Sequence, residues 1–172
     1  MVDGRGPVLA AGRSGRGRVA AIWVRATANG TPVALERVQA VAGAGLEGDR
    51  YRAGVGTFSD LPGSGRHLTL IEAEALDALA RETGIQLDAA ASGRNLVTEG
   101  IDLNALVGHR FRIGPVECVG TRLCEPCDHL AQRTEPGVLR GLVHRGGLRA
   151  DVLVDGEIAV GATIVPLDAP TG

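Results

Sequence analysis

Lysine is absent from this 172-residue chain, all 18 basic residues being arginine. Without an ε-amine the chain cannot tether pyridoxal phosphate or a carbonyl substrate as a Schiff base, although its guanidinium forks suit phosphate and carboxylate groups. Aromatic residues are almost as scarce: Trp23, Tyr51, Phe58 and Phe111 are the whole set. A core must therefore come from Val, Leu, Ile and Ala, and there is little on which single-stranded nucleic acid could stack. Net charge is only −2, so no overall field draws in nucleic acid or an anionic membrane. No apolar run approaches the roughly 20 residues of a membrane span. The run Val19–Val24 follows basic residues, as an export signal would, but stops at Arg25 and reads as a strand. Cysteines number three, an odd count in a chain without an export signal, which fits a reduced, cytoplasmic protein.

The length is that of one domain. Residues 1–17, rich in Gly and Arg without periodicity, read as a flexible leader, and 18–172 as a single domain. Strands are expected at Arg18–Arg25 and Val33–Val41. A glycine-punctuated loop then runs from Gly43 to Gly54, without the lysine of a phosphate-binding P-loop, and continues to Gly65 with Phe58 as its anchor. Arg66–Ile71 reads as a strand entering a helix. Thr69 and Glu72 have capping-box spacing; Ile71, Ala75, Leu76, Leu79 and Ala80 form the apolar face; Glu72, Glu74, Asp77, Arg81 and Glu82 form the solvated side; Gly84 ends it. A helical turn over 87–93 precedes a strand at Arg94–Thr98, and Asp102 caps a short segment from Leu103 to Val107. His109–Ile113 and Val116–Arg122 read as a hairpin, with Cys118 a core residue. A short helix is expected at Glu135–Arg140. Leu148–Val154 and Glu157–Val160 around Asp155-Gly156 carry the strongest hairpin signal, before a last strand at Gly161–Pro166. Many short strands without regular strand–helix alternation favour a mainly antiparallel β-barrel with a few short helices.

Chemistry concentrates in Arg122-Leu123-Cys124-Glu125-Pro126-Cys127-Asp128-His129-Leu130. Asp128 is placed to cap a helix running to Arg133, which would set Cys127 at a helix N-terminal edge, where free N–H groups favour a thiolate; Arg122 adds positive charge if the chain folds back. Three chemistries suit two thiols at this spacing. One is sulfur transfer or metal ligation through a single activated cysteine. A second is structural zinc, with Cys118, His129 or His144 recruited to complete a tetrahedron. The third is a redox dithiol, although the flanking hairpins are not the usual βαβ setting. A non-catalytic module holding a phosphate-bearing ligand or a partner protein is a fourth reading.

Taken in order, Gly48-Asp49-Arg50, Arg66-His67-Leu68-Thr69-Leu70-Ile71-Glu72, Gly93-Arg94-Asn95-Leu96, Leu106-Val107-Gly108, Gly114, Cys124-Glu125-Pro126-Cys127-Asp128-His129-Leu130 and Arg145-Gly146-Gly147-Leu148-Arg149-Ala150 resemble a MOSC domain, the fold named after the C-terminal part of molybdenum cofactor sulfurases. The resemblance covers about residues 18–166. It implies a β-barrel that binds the molybdenum–pterin cofactor or carries sulfur toward a metal–sulfur centre. Cys127 falls where the family places its key cysteine, which holds a persulfide in some members and ligates molybdenum in reductases of N-hydroxylated compounds. Cys124 then either resolves a persulfide or is a small residue in a tight loop. Arg66, Arg94, Arg122 and Arg145 are the candidates for the cofactor's phosphate, each equally suited to a salt bridge; Asp49 and Asn95 are placed to hydrogen-bond a pterin or to satisfy their own loops. The pyridoxal phosphate-dependent cysteine desulfurase fused to some members is missing, so a carrier would need a separate one as donor, and a molybdoenzyme or cofactor as acceptor.

Overall fold

The computed structural model describes residues 15–27, 29–50, 65–126, 130 and 137–167. The expected leader up to residue 14, the later part of the glycine loop with Phe58, and the Asp128-capped helix lie outside them. Among the described residues the chain forms eleven strands and two α-helices. In order these are β1 (Gly17–Val24), β2 (Val33–Leu35), β3 (Arg37–Val41), β4 (Gly45–Leu46), β5 (Leu68–Glu72), α1 (Ala73–Thr83), β6 (Leu96–Glu99), β7 (Arg110–Ile113), β8 (Val116–Leu123), α2 (Gly137–Gly141), β9 (Leu148–Val152), β10 (Gly156–Ala159) and β11 (Thr163–Pro166).

Seven strands close a barrel in the order β1-β11-β7-β8-β9-β5-β6 and back to β1, with β2 added beside β1; β3, β4 and β10 form a separate small sheet. The structure is mainly β, and every pairing is antiparallel except β5 with β6, which α1 connects. Closure comes from β1. A shift of register between Val19 and Ala21 bends it, so that its first residues pair with β11 and its middle with β6.

Alternation makes the interior. In β7 and β8, Phe111, Ile113, Val116, Cys118 and Gly120 are buried while Arg110 and Arg112 face solvent. Among the described residues Phe111 is the only aromatic in the core cluster, which is otherwise aliphatic apart from Cys118. A second cluster, Leu79, Leu130, Val138 and Leu142, packs α1 against α2. Leu130 thereby fixes the chain three residues after Cys127.

Cys118 is fully buried between Phe111 and Val152 on the neighbouring strands. Burial, assisted by the charges of Glu117 and Asp151, pushes its thiol from 9.0 up to about 12. Six residues of extended chain, roughly 20 Å, separate it from Cys124, so it cannot join a shared metal site there. The raised value has a pH consequence. The unfolded thiol ionises near 9 and the folded one near 12, so this contribution to stability is intact below pH 9 and is lost as pH rises toward 12. Melting temperature between pH 9 and 11 is expected to fall more steeply in the wild type than in Cys118→Ala, and native protein should leave Cys118 unalkylated at pH 8.

Four expectations are corrected. The second strand is two, because a bend at Glu36 sends β2 to the barrel and β3 to the small sheet. The hairpin around Asp155-Gly156 does not form: β9 pairs with β5 and β8, and β10 with β3. The N–H groups of Leu153 and Val154 both donate to the Glu117 carbonyl, and Asp155 accepts the Ala42 N–H at 2.6 Å, turning the chain out of one sheet into the other. No capping box starts α1, since the N-cap is Glu72 without a side-chain cap bond while Thr69 is committed to Asn95. Glu72 is buried at 4% exposure and is not solvated. Gly84 does end the helix, at φ 74 with its N–H on the Ala80 carbonyl.

Candidate functional site

The strand β8 runs straight into Cys124, which is buried and donates its N–H to the Gly147 carbonyl at 2.7 Å. Arg94 ties this loop to two others. It leaves a 3₁₀ turn, Ala90–Ser92, through Gly93 at φ 76, and is itself buried. Its Nε donates to the Gly146 carbonyl, Nη1 to Ser92 and Nη2 to Cys124, each at 2.9 Å. A planar fork with divergent donors can bridge three fixed carbonyls in this way, and an ammonium cannot. Gly146 and Gly147 are required by packing. A Cβ at Gly146 would run into the Cys124 carbonyl oxygen, and one at Gly147, at φ 111, into the Leu70 carbonyl oxygen.

Glu125 holds the other side of the loop. Its carboxylate accepts the His144 N–H at 3.0 Å and lies 3.3 Å from His144 Nδ1. His144 is the one described non-glycine residue with positive φ, at 62°, and Asn104 Nδ2 donates to its carbonyl at 2.8 Å. Cys127 and His129 lie outside the described residues. Of the described residues on either side of them, Cys124 is held by Arg94, Glu125 by His144, and Leu130 packs in the second core cluster.

Register brings together residues far apart in sequence. Leu96, Leu70, Leu148 and Leu123 pair in succession across β6, β5, β9 and β8. One step away, a second row points away from the barrel interior: Asn95, Thr69, Arg149 and Arg122. Asn95 Oδ1 accepts the Thr69 N–H and hydroxyl, both at 3.1 Å, and its Nδ2 donates to the Trp23 carbonyl and Asp49 Oδ1, both at 3.1 Å. That fills the amide's hydrogen-bonding capacity, so Asn95 serves the loops it joins. Asp49, equally buried, also accepts the Arg25 N–H at 3.2 Å and has Arg50 Nη1 at 3.9 Å. Arg25, Arg50 and Arg94 are exposed by only 5%, 9% and 9%, and with Trp23 and Asn95 they line one narrow notch. Three buried arginines thus take part in its lining, one of which, Arg94, donates to three neutral carbonyls, and the Asp49 carboxylate braces the loops beside it.

The other sequence candidates lie elsewhere. Arg145 is turned toward the two helices: it donates to the Gly141 carbonyl of α2 at 2.7 Å and pairs with Glu82 of α1, and its hydrogen bond to Glu82 holds that carboxyl below its ordinary range. Arg66 is half-buried ahead of β5, and Arg122 is exposed on β8. Sequence reasoning missed Arg25 and Arg50 as site residues. Arg50 was visible in the Gly48-Asp49-Arg50 motif, but Arg25 has no local signal beyond ending a strand. Roomier grooves of 530 and 570 Å³ lie beside Arg18, Glu74 and Asp77 and between α1 and α2, away from the cysteine loop. No three His, Cys, Asp or Glu side chains converge among the described residues, and no described helix is long and apolar enough to cross a membrane.

Solved structures share this architecture. The YuaD protein of Bacillus subtilis is similar with a TM-score of 0.74 at 14% identity, over 87% of this chain and 94% of that one. YiiM of Geobacillus stearothermophilus gives 0.68 at 18% identity over 91% and 77%, and YiiM of Escherichia coli 0.65 at 20% over 90% and 72%. At such identities the likeness is one of fold. No curated protein matches the sequence. The MOSC domain profile matches residues 46–165, well over half the chain and the stretch that contains Asp49, Arg50, the Arg94-Asn95 turn and the cysteine loop. This protein therefore belongs to the MOSC domain family, whose members bind groups related to the molybdenum cofactor.

Proposed function

We propose that this chain binds the molybdenum–pterin cofactor at the buried arginine notch and bears sulfur on Cys127, as a persulfide or as a ligand to molybdenum. The observation that supports this best is Arg94. Arg94 is one of the residues that line the notch, and its guanidinium holds the Cys124 carbonyl, so one buried residue joins the arginine cluster to the loop that carries Cys127. Arg25, Arg50 and Arg94 match the terminal phosphate of the cofactor in charge and donor type, and the notch they line, about 10 Å³, has to widen to admit it. Asp49 stands beside the Arg50 guanidinium, and with Asn95 it braces the strands. When bound, the cofactor supplies a redox-active metal centre.

Cys127 follows three residues after Cys124, so the loop that Arg94 holds is the loop that carries Cys127, whose thiolate is the nucleophile of this reading. As a carrier, that thiolate attacks the outer sulfur of a persulfide on a donor such as a cysteine desulfurase. The new S–S bond to Cys127 forms as the donor's S–S bond breaks, and the donor leaves as a thiolate, with no net oxidation. Reduction of N-hydroxylated compounds is the alternative when molybdenum is retained, and a molybdoenzyme is the acceptor when sulfur is passed on. The test is whether molybdenum or one added sulfur is present on the wild type and missing from Cys127→Ala at unchanged melting temperature. Equal loading of both proteins would remove Cys127 from the role.

A further inference from the structure

Across the outer face of the barrel, β8 and β9 place Arg122 directly opposite Arg149. Two like charges at such positions have Cβ atoms about 5 Å apart and oppose pairing of the strands. Elsewhere on the surface the chain avoids this: Arg18 pairs with Glu99, Arg37 with Glu157, Arg110 with Glu117 and Arg145 with Glu82. Neither Arg122 nor Arg149 has a carboxylate partner among the described residues. The closest carboxylate on β9, Asp151, is committed to the Gly65 N–H at 2.7 Å and stands 3.6 Å from His67 Nδ1. The register shift between Gly120 and Arg122 is what makes the two arginines face each other, taking up Thr121, whose hydroxyl donates to the Arg149 carbonyl at 3.0 Å.

We infer that Arg122 and Arg149 form an oxyanion subsite, separate from the buried notch, for a phosphate or carboxylate of the molecule that reacts at the cysteine loop. The placement supports this. Arg122 lies two residues, about 7 Å of strand, before Cys124, and Arg149 is next in the row to Thr69 and Asn95, so the subsite sits roughly 10 Å from the buried cluster on the same face. Two guanidinium forks rooted at opposed positions can offer an oxyanion four or more N–H donors, and a bound anion would relieve the repulsion between them. The role of this anion as part of a reactant rests on the function proposed above; the binding of an oxyanion does not.

The test uses the full chain without cofactor, with inorganic phosphate as probe and sodium chloride at matched ionic strength as control, read by melting temperature. The wild type is expected to show a saturable rise with phosphate. Arg122→Gln and Arg149→Gln should each weaken the apparent affinity at least tenfold, and each should melt higher than the wild type in phosphate-free, low-salt buffer because a like-charge contact is gone. Arg112→Gln, an exposed arginine on β7, should titrate as the wild type. If both β8 and β9 variants superimpose on the wild-type titration, phosphate is held by the buried cluster alone and the subsite does not exist. If they melt lower without phosphate, the arginines are structural and the inference fails in the same way.

Discussion

Arg94→Ala is expected to destabilise the protein by about 3 to 5 kcal/mol, because it leaves the buried carbonyls of Ser92, Cys124 and Gly146 each without their charged donor. For a chain of this size that is roughly 10 °C of melting temperature. Arg94→Lys should recover little of it, since one ammonium cannot span three carbonyls set for a fork. The loss should also be local before it is global, with proteolysis appearing first at the cysteine loop, which loses its tie to the turn at residues 92–95. Melting of Arg94→Ala within about 1 °C of the wild type would mean that these three bonds do not hold the loop.

Gly147→Ala should be more damaging still. At φ 111 an alanine is strained, and its Cβ would occupy the position of the Leu70 carbonyl oxygen, which belongs to the backbone of β5 and cannot rotate away. Leu70 pairs with Leu148 on β9, so the overlap pushes apart two strands of the barrel wall beneath the cysteine loop. A loss beyond about 4 kcal/mol, seen as insoluble expression, is the expected outcome. Gly48→Ala and Gly84→Ala are the controls. Their φ values of 80 and 74 carry the same left-handed strain, but a Cβ there meets nothing within 4 Å, so each should cost only about 1 to 2 kcal/mol. A soluble Gly147→Ala that melts like these controls would show that β5 and β9 can separate without loss of the fold.

Legibility from sequence followed the range of the interaction. Alternation around Phe111, Ile113, Val116 and Cys118 reports burial on one face, so β7, β8 and the core position of Cys118 could be read locally. Gly84 and Gly93 end helical turns through their own backbone conformation, another local effect. Asp155-Gly156 misled because hairpin chemistry was outweighed by Glu117 and Ala42, which lie far away in sequence. The small sheet was missed for the same reason. The site divides in the same way. The Cys124–Cys127 spacing is local and stood out, whereas the meeting of Arg25, Arg50 and Arg94 depends on three separate segments joined through Asp49 and Asn95. His144 was legible as a histidine but not as a residue held in left-handed conformation by Glu125, because nothing in its neighbours demands that backbone.

Joint action of the buried arginine cluster and Cys127 on a molybdenum cofactor or its sulfur is tested most directly by molybdenum and persulfide sulfur per chain, on wild type and Cys127→Ala purified from a host that makes the pterin cofactor. One or the other is expected near stoichiometry in the wild type and absent from the variant, with both proteins melting alike. Stoichiometric zinc in place of molybdenum, or neither molybdenum nor persulfide sulfur in the wild type, would contradict it.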